Sequence, residues 1–340
     1  MLPSNPTTLD LYHDAMVGYR TSKVLFVAHE IGLFDALEGH VRTAEALAVE
    51  LRCDARALEL LMRALGGLGV LEAHDGGFTN AAVASKHLVK GRELYLGHIY
   101  RFQNMLWECW SNLETVVRTG RSWKRLEELL EGQDDTFARE YSRGLRAFSA
   151  APARAVASLL GTAPIGTMLD VGGGHAAYSL SLLEAHPELE ATLLDLPSVI
   201  TVAQELTCEH PHRNRLHLRP GNYLTDDFGD SCFDLILMSH ITHDEPPAAV
   251  QALVQRAARA LRPGGRLAIH DWVVDESGCL PLAAALFSVA MMVYTHGGQT
   301  YKKSEYMDFF QAAGLTPVQD QRVLENEVRT PTQLIVGRRP

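Results

Sequence analysis

The stretch Asp170-Val-Gly-Gly-Gly-His-Ala-Ala-Tyr178 decides the fold class of this chain. It lies where the apolar run Thr167–Val171 gives way to a helical pattern, as at the first strand-to-helix turn of a doubly wound domain. Glycines let the backbone approach a ligand closely, and the amides at a helix N-terminus favour an anionic group. The spacing Gly172-x-Gly174-x-x-Ala177 also matches a dinucleotide fingerprint, and because such a match is not specific alone, the surrounding residues decide the ligand.

The second half of the chain predicts a parallel sheet with helices between its strands. Five short apolar runs, each bounded by Gly, Pro or Asp, alternate with helical stretches, as βαβ units require. These runs are Thr167–Val171, Ala191–Leu194, Arg215–Leu218, Phe233–Met238 and Arg266–Ile269. Two later segments, Leu315–Leu324 and Thr332–Val336, predict a closing antiparallel pair.

The first hundred residues have a different pattern. Apolar residues recur at helical spacing, and the segments 70–73 and 77–79 flank the turn His74-Asp-Gly76, which predicts a hairpin. Helices followed by a hairpin resemble a winged helix, a unit that often reads DNA through its second helix. Here that helix, Asp54–Arg63, has two arginines against two acids, so we predict dimerisation or packing instead.

The composition excludes several classes of function. The chain has 340 residues, a formal net charge of -10 and a pI near 5.8, so nucleic acid and anionic membranes are not expected as partners. Five cysteines without a C-x-x-C pair argue against a disulfide scaffold or a thiolate zinc site, and predict a reducing, cytoplasmic location. No secretory signal is predicted over residues 1–10, and the longest weakly polar stretch, Cys279–Tyr294, is too short to span a membrane.

Polar residues at the ends of the predicted strands indicate what the glycine-rich turn binds. Asp170, directly before the glycines, can engage a cationic ligand, whereas a carboxylate there would repel a pyrophosphate. Asp195 follows Gly174 by 21 residues and ends the second strand, where a carboxylate suits a ribose diol. Asn222 and Tyr223 follow the third strand and can offer an amide and a ring to an adenine.

These motifs resemble the class I S-adenosylmethionine (SAM)-dependent methyltransferases, and more narrowly the caffeate/acetylserotonin O-methyltransferase-like family. The resemblance covers nearly the whole chain and includes the winged-helix N-terminus, D-V-G-G-G at 170–174, L-D-L-P at 194–197, H-D at 243–244 and L-R-P-G-G-R-L at 261–267. Two positions depart from the family pattern, because Ala176 replaces a further glycine and Asn222 replaces the acid that usually meets the adenine. Both changes are tolerable, since Ala is small and the Asn carbonyl still accepts a hydrogen bond.

The resemblance implies an architecture and a cofactor site. The expected fold is α/β, with a C-terminal doubly wound Rossmann-like methyltransferase sheet over 161–340 and a helical winged-helix dimerisation domain over 1–100. A helical connector over 101–160 is expected to line the acceptor pocket, and the protein is expected to form a homodimer. The implied cofactor is SAM, and its predicted ligands are Asp170, Gly172, Gly174, Asp195, Leu196, Asn222, Tyr223 and Ser239.

The segment after the fourth strand holds the candidate base. In the O-methyltransferase pattern the histidine of H-D-W deprotonates an acceptor hydroxyl, and by its spacing this residue is His243. Glu245 stands where that pattern has its tryptophan. Of the family's two supporting acids, the first matches Asp271, but the second position, beside Gly297 and Gly298, has Gln299-Thr300 and no acid.

His296, just before the paired glycines, indicates that the segment with His243 could bind a metal ion instead of serving as a base. His243, Asp244 and His296 together would make a facial triad suited to iron and acceptable to zinc. This set resembles the α-keto acid C-methyltransferases of the phenylpyruvate and indolepyruvate type, in which a metal at this place holds the keto acid. His296 also has a plain interpretation as a surface or packing histidine.

Metal chelation would give the triad a chemical purpose. A metal held by the keto and carboxylate oxygens stabilises the enolate that forms when a β-proton leaves, so the β-carbon becomes the nucleophile toward the methyl group. His240, Asp271 and Tyr294 are candidates for the proton acceptor or for support of the ligands. His270 is expected to be a packing residue at a strand end.

Three functional hypotheses follow from these residues. The main hypothesis is metal-assisted β-C-methylation of an aromatic or branched α-keto acid in secondary metabolism. The alternative is metal-free O-methylation of a small phenolic acceptor, with His243 as the general base. The third is a non-catalytic ligand-sensing or DNA-binding relative, which the acidic composition disfavours.

Overall fold

The computed structural model describes residues 9–92, 94–131, 136–324 and 332–340. Residues 1–8, on which the expected absence of a secretory signal partly depends, lie outside this range. The chain divides into two compact units, Met1–Trp107 and Glu108–Pro340. Among the described residues, no helix has both the length and the apolar character that crossing a bilayer requires.

The first unit is helical with one hairpin. Its elements are α1 (Leu9–Glu30), α2 (Leu33–Leu37), α3 (Ala44–Leu51), α4 (Ala55–Gly67), β1 (Leu71–His74), β2 (Gly77–Asn80), α5 (Ala82–His87) and α6 (Gly97–Met105). Thr43 and Asp54 begin α3 and α4 by accepting backbone amide hydrogen bonds of 3.2 and 2.8 Å from Ala46 and Ala57. The predicted hairpin is confirmed, because β1 and β2 pair antiparallel.

Four helices open the second unit, and an α/β domain follows. The helices are α7 (Trp107–Ser111, which begins one residue earlier), α8 (Leu113–Thr119), α9 (Leu126–Leu130) and α10 (Thr136–Leu160). The domain runs β3 (Thr167–Val171), α11 (Ala177–Ala185), β4 (Glu190–Asp195), α12 (Pro197–Thr207), β5 (Leu216–Pro220), β6 (Phe233–Ser239), α13 (Pro247–Ala260), β7 (Leu261–Asp271), β8 (Val273–Val274), α14 (Leu282–Tyr294), β9 (Tyr301–Lys302), α15 (Lys303–Ala312), β10 (Thr316–Val323) and β11 (Thr332–Arg338).

The central sheet has seven strands in the order β10-β11-β7-β6-β3-β4-β5. The five predicted strands pair in parallel, and β10 and β11 form the predicted antiparallel pair at one edge. One apolar cluster packs the sheet against α10, α11 and α12, and a second packs it against α13 and α15. The predicted doubly wound fold class is therefore confirmed, and the strand order reverses between β3 and β6, where ligands of such sheets bind.

Candidate active site

The polar residues of the site lie where the middle strands of the sheet end. Asp170 is next to the end of β3, Asp195 ends β4, Ser239 ends β6 and Asp271 ends β7. None of these four residues is more than 9% exposed. A buried charge needs a hydrogen bond donor or an opposite charge nearby, so the partners of each carboxylate indicate whether it serves the protein itself or a ligand.

The glycine-rich turn is a tight backbone loop. Gly172 and Gly174 have positive φ angles of 66° and 52°, a region that glycine enters without strain. A Cβ atom at Gly172 would lie 2.5 Å from the side chain of Ile241, so the close approach itself requires glycine. Ala176 also has a positive φ of 63° where the family pattern has a further glycine, so the alanine is accommodated in a conformation that glycine prefers.

Asp195 ties the end of β4 to the glycine-rich turn. Its carboxylate accepts hydrogen bonds from the amides of Gly174, at 2.8 Å, and Leu196, at 2.7 Å. Burial raises the pKa of Asp195 and the two amides lower it in part, which leaves the pKa at about 6. The fixed carboxylate and the two glycines can hold a ribose diol beside the turn.

Asp170 is a buried carboxylate with one oxygen paired. Ser179 donates to its Oδ2 at 2.6 Å, whereas Oδ1 has no hydrogen bond partner among the described residues. Burial raises the pKa of Asp170 to about 7, with a further contribution from the charge of Asp195. An unpaired buried carboxylate oxygen beside a second carboxylate fits a positively charged ligand such as SAM.

The other predicted cofactor residues differ in their surroundings. Asn222 is exposed, and its side-chain oxygen accepts from the amide of Leu224 at 2.8 Å, so this carbonyl already serves its own turn. Tyr223 donates its phenol hydrogen to Glu245 at 2.9 Å. Ser239 lies 3.1 Å from His270 Nδ1.

His270 is the buried strand-end residue that the sequence predicts. Its Nε2 atom lies 2.6 Å from the hydroxyl of Thr332 on β11. Burial holds the pKa of His270 well below its usual range, so the ring is neutral. A neutral ring between two hydroxyls explains how this buried histidine is satisfied without a charged partner.

His243 and Asp271 form the central pair of the site. His243 Nδ1 lies 2.5 Å from Asp271 Oδ1, and both side chains are almost fully buried. The other ring nitrogen, Nε2, lies 3.6 Å from Asp244 Oδ1. Burial lowers the pKa of His243, but the charges of Asp271 and Asp244 and the hydrogen bond outweigh it and raise the pKa to about 9.

Asp271 is fixed from several directions. It accepts from the hydroxyl of Thr242 at 2.6 Å and from the amides of Trp272 and His243 at 2.8 and 3.3 Å. Tyr306 OH lies 2.7 Å from the Thr242 hydroxyl. Because the hydrogen of Thr242 faces Asp271, the oxygen of Thr242 is free to accept a hydrogen bond from Tyr306. Burial raises the pKa of Asp271, but the cationic ring of His243, with its hydrogen bond, and the neighbouring ring of His240 bring it well below its usual range.

Aromatic side chains stand beside the base. The Phe287 ring packs edge-on against His243 with centroids 4.8 Å apart, and Trp272 lies 5.7 Å from Phe287. Tyr294, at the end of α14, is buried, and burial raises the pKa of its phenol, with Asp244 adding to the effect. Tyr294 therefore stays protonated at neutral pH and can donate a hydrogen bond, which fits the predicted role of support better than that of proton acceptor.

The structure does not bring the predicted metal triad together. Among the described residues, the group with metal-ligand atoms close to one another is His240, His243 and Asp271, while His296 is exposed and outside it. Within that group, His243 Nδ1 and Asp271 Oδ1 are 2.5 Å apart, closer than the ~3.3 Å between two ligands of a tetrahedral zinc ion. The short distance is that of a hydrogen bond, so the pair is built to orient an imidazole.

Gly298, in the loop after α14, lies against the backbone of the base His243. A Cβ atom at Gly298 would lie 2.3 Å from the carbonyl oxygen of His243 and 2.4 Å from the Thr295 hydroxyl. The Gly298 amide donates to that hydroxyl at 3.0 Å, and the hydroxyl donates to the Met291 carbonyl at 2.6 Å. The end of α14 and the base loop are therefore packed backbone to backbone.

Sequence comparison agrees with this geometry. Residues 110–316 match the O-methyltransferase domain, and residues 13–90 match the O-methyltransferase dimerisation domain. The chain belongs to the O-methyltransferase family. It is a SAM-dependent methyltransferase with a helical N-terminal dimerisation domain and a C-terminal α/β domain.

Relatives of this O-methyltransferase cover almost its whole length. It is 31% identical to the 3-hydroxy-5-methyl-1-naphthoate 3-O-methyltransferase of Streptomyces sahachiroi, over 92% of this chain and 91% of the relative. It is 28% identical to the acetylserotonin O-methyltransferase of Gallus gallus, over 90% and 91% of the two chains. The fold matches the crystal structure of human N-acetylserotonin methyltransferase in complex with SAM with a TM-score of 0.84, at 23% identity, over 100% of this chain and 99% of that one.

Some contacts of this O-methyltransferase's site are not visible in the sequence. Thr242 and Tyr306 meet across 64 positions, so no local spacing reveals them. Phe287 is one of many apolar residues of α14. Glu245 was visible as a departure from H-D-W, but its partner Tyr223 was assigned to the cofactor alone.

Proposed function

We propose that this SAM-dependent methyltransferase methylates a hydroxyl group of a small phenolic acceptor, with His243 as the general base. The observation that carries the proposal is the hydrogen bond of 2.5 Å between His243 Nδ1 and Asp271. It fixes the ring so that Nδ1 is the donor and Nε2 remains to take a proton from the acceptor. The same arrangement leaves no role for a metal at Nδ1.

The pKa of the base suits a phenol. Asp271 and Asp244 hold the pKa of His243 at about 9, which is within roughly one unit of an ordinary phenol. Proton transfer from the acceptor hydroxyl to Nε2 is then nearly balanced in free energy, and the imidazolium that forms is stabilised by both carboxylates. The proton passes to water after the methylated product leaves.

The residues at the strand ends fit SAM, whose sulfonium supplies the methyl group when it is bound. We propose that Asp195 holds its ribose hydroxyls and that the unpaired oxygen of Asp170 faces its positive charge. Gly172 and Gly174 allow close approach of the backbone. Tyr223 is proposed to lie against the adenine, and Leu196 and Ser239 to complete the pocket.

The relatives support O-methylation over the C-methylation that the metal triad suggested. The names of the two relatives above describe O-methyltransferases of a hydroxynaphthoate and of acetylserotonin, which are hydroxyl-bearing bicyclic aromatics. No similarity to the α-keto acid C-methyltransferases or need for a metal ion emerges from these matches. The alternative function predicted from the sequence is therefore the better supported one.

We further propose a homodimer formed by the helical domain over 1–100, because residues 13–90 match a dimerisation domain. The connector over 101–160 is proposed to contribute to the acceptor pocket. Its later part supports this, since the Trp123 amide donates to the Val293 carbonyl of α14 at 3.1 Å. The main domain is proposed to extend over 161–340.

A comparison of acceptors tests the proposal. Monocyclic and bicyclic phenols and phenylpyruvate are each incubated with enzyme and labelled SAM, with and without chelator, and the products are identified by mass spectrometry. We expect aryl methyl ethers, unaffected by chelator, loss of transfer in His243→Gln, and near-normal transfer in His296→Ala. β-Methylation of phenylpyruvate that requires His296 would instead restore the keto acid hypothesis.

A further inference from the structure

Tyr223 is held at both of its ends. It lies in the segment between β5 and β6, and its phenol donates to Glu245 Oε1 at 2.9 Å. At the backbone end, its carbonyl oxygen accepts from the guanidinium of Arg256 on α13 at 2.6 Å. A tyrosine fixed by side chain and backbone together presents its ring in one orientation, because neither the phenol nor the backbone can turn without breaking a bond.

Arg256 fixes more of the same segment. Its second amino group donates to the Asp226 carbonyl at 2.9 Å, and its guanidinium lies over the Phe228 ring at 5.0 Å. The planar guanidinium thus bridges two carbonyls and a ring of one loop, which the point charge of a lysine cannot reproduce. Arg259, one turn further along α13, instead pairs with the exposed Asp227 carboxylate.

Glu245 connects Tyr223 to the segment that contains the base. It is 5% exposed, and its own carbonyl accepts from Tyr301 OH at 2.5 Å. It directly follows His243 and Asp244, and it stands where the family pattern has a tryptophan. The side chain of Glu245 therefore links the segment that carries the base to the segment that carries Tyr223.

We propose that Glu245 and Arg256 are positioning residues that hold Tyr223 as a platform for the adenine of the cofactor. The inference rests on the proposed place of the adenine beside Tyr223. A ring fixed in advance binds a flat base without losing side-chain freedom at the moment of binding, so part of the affinity for SAM comes from residues that do not touch it.

Calorimetry with two ligands tests the role. S-adenosylhomocysteine and 5′-methylthioadenosine both carry the adenine, but only the first carries the amino acid. We expect Tyr223→Phe, which keeps the ring, to weaken both ligands by the same factor of roughly three to ten. Arg256→Lys should weaken both by roughly tenfold, whereas the matched control Arg259→Lys should leave both within twofold.

Further variants separate the possible failures. Combining Tyr223→Phe with Glu245→Met should cost no more than the larger single change, because both remove one shared bond. Equal affinities for wild type, Tyr223→Phe and Arg256→Lys would overturn the positioning role. Unchanged affinity in Tyr223→Ala would instead overturn the place of the adenine. The melting temperature of each ligand-free variant is measured alongside, and if Arg256→Lys unfolds, Tyr223→Phe decides.

Discussion

The pKa values of buried aspartates are shifted in opposite directions at the two ends of the same sheet edge. At the cofactor end, burial raises the pKa of Asp170 to about 7 and that of Asp195 to about 6. At the base end, the pKa of Asp271 is held well below its usual range, although Asp271 is as deeply buried. The difference is the partner, because Asp271 has the cationic imidazole of His243 beside it, whereas no cation of the described residues pairs with Asp170. The Asp170 oxygen that has no hydrogen bond partner among the described residues is the one that we propose to face the positive charge of the cofactor.

The largest effect is expected when the charge of Asp271 at the base end is removed. Asp271→Asn should lower kcat/KM by roughly 100-fold or more, because the amide neither stabilises the imidazolium nor fixes the tautomer that leaves Nε2 as acceptor. The dissociation constant of S-adenosylhomocysteine, measured by calorimetry, should stay within about threefold since the cofactor end is intact. Equal losses in turnover and in cofactor affinity would show that the two ends are not separate.

The pH dependence of the reaction tests the raised pKa of His243 at the base end. Because the pKa of His243 is about 9, the ligand-free enzyme holds this base protonated at neutral pH. We expect kcat/KM to rise about tenfold per pH unit from pH 7 and to level off above about 9. Asp244→Asn should move the midpoint downward. A profile already flat at pH 7 would contradict the assignment of His243 as the base.

The same group also links stability to pH. A histidine whose pKa is raised on folding contributes stability that is fully present below pH 6.5 and is lost as the pH rises through about 9.

The affinity for the cofactor should also rise with pH, but over a lower range than kcat/KM. Asp195 must be charged to accept both ribose hydroxyls, so affinity for S-adenosylhomocysteine should fall as the pH drops below about 6. Asp195→Asn should weaken binding at pH 8 by roughly 10- to 100-fold and remove this pH dependence. Calorimetry at a series of pH values checks both, and a variant that binds as tightly as wild type would refute the ribose assignment.

The smallest expected effect concerns Asp170 in the ligand-free protein, where its Oδ1 has no hydrogen bond partner among the described residues. The pKa of Asp170 is raised from 3.8 to about 7, so this group favours the folded state at low pH and loses that contribution as the pH rises through 7. At pH 8 the neutral isostere Asp170→Asn should therefore raise the melting temperature of the ligand-free protein by a few degrees, ~1–2 kcal/mol. A lower melting temperature would mean that the charge has a partner within the chain.

The sequence predicted those parts of the site that local spacing determines. The places of the glycine-rich turn, of Asp195 at the end of β4 and of His243 after β6 follow from strand ends that must meet at one edge. The metal triad did not assemble, because His243 turns its Nδ1 toward Asp271 and His296 is exposed on a loop whose course no motif determines. Asn222 stays a prediction for the adenine, and its side-chain oxygen also accepts from the amide of Leu224, a contact that the sequence did not predict.

The contact between Gly298 and the carbonyl of His243 limits how the enzyme can be redesigned. Any side chain at 298 would displace the backbone that carries His243, so variants there should mostly be inactive regardless of acceptor. Phe287, which meets the ring of His243 with its side chain, is a position at which diversity can be introduced without moving the backbone of the base.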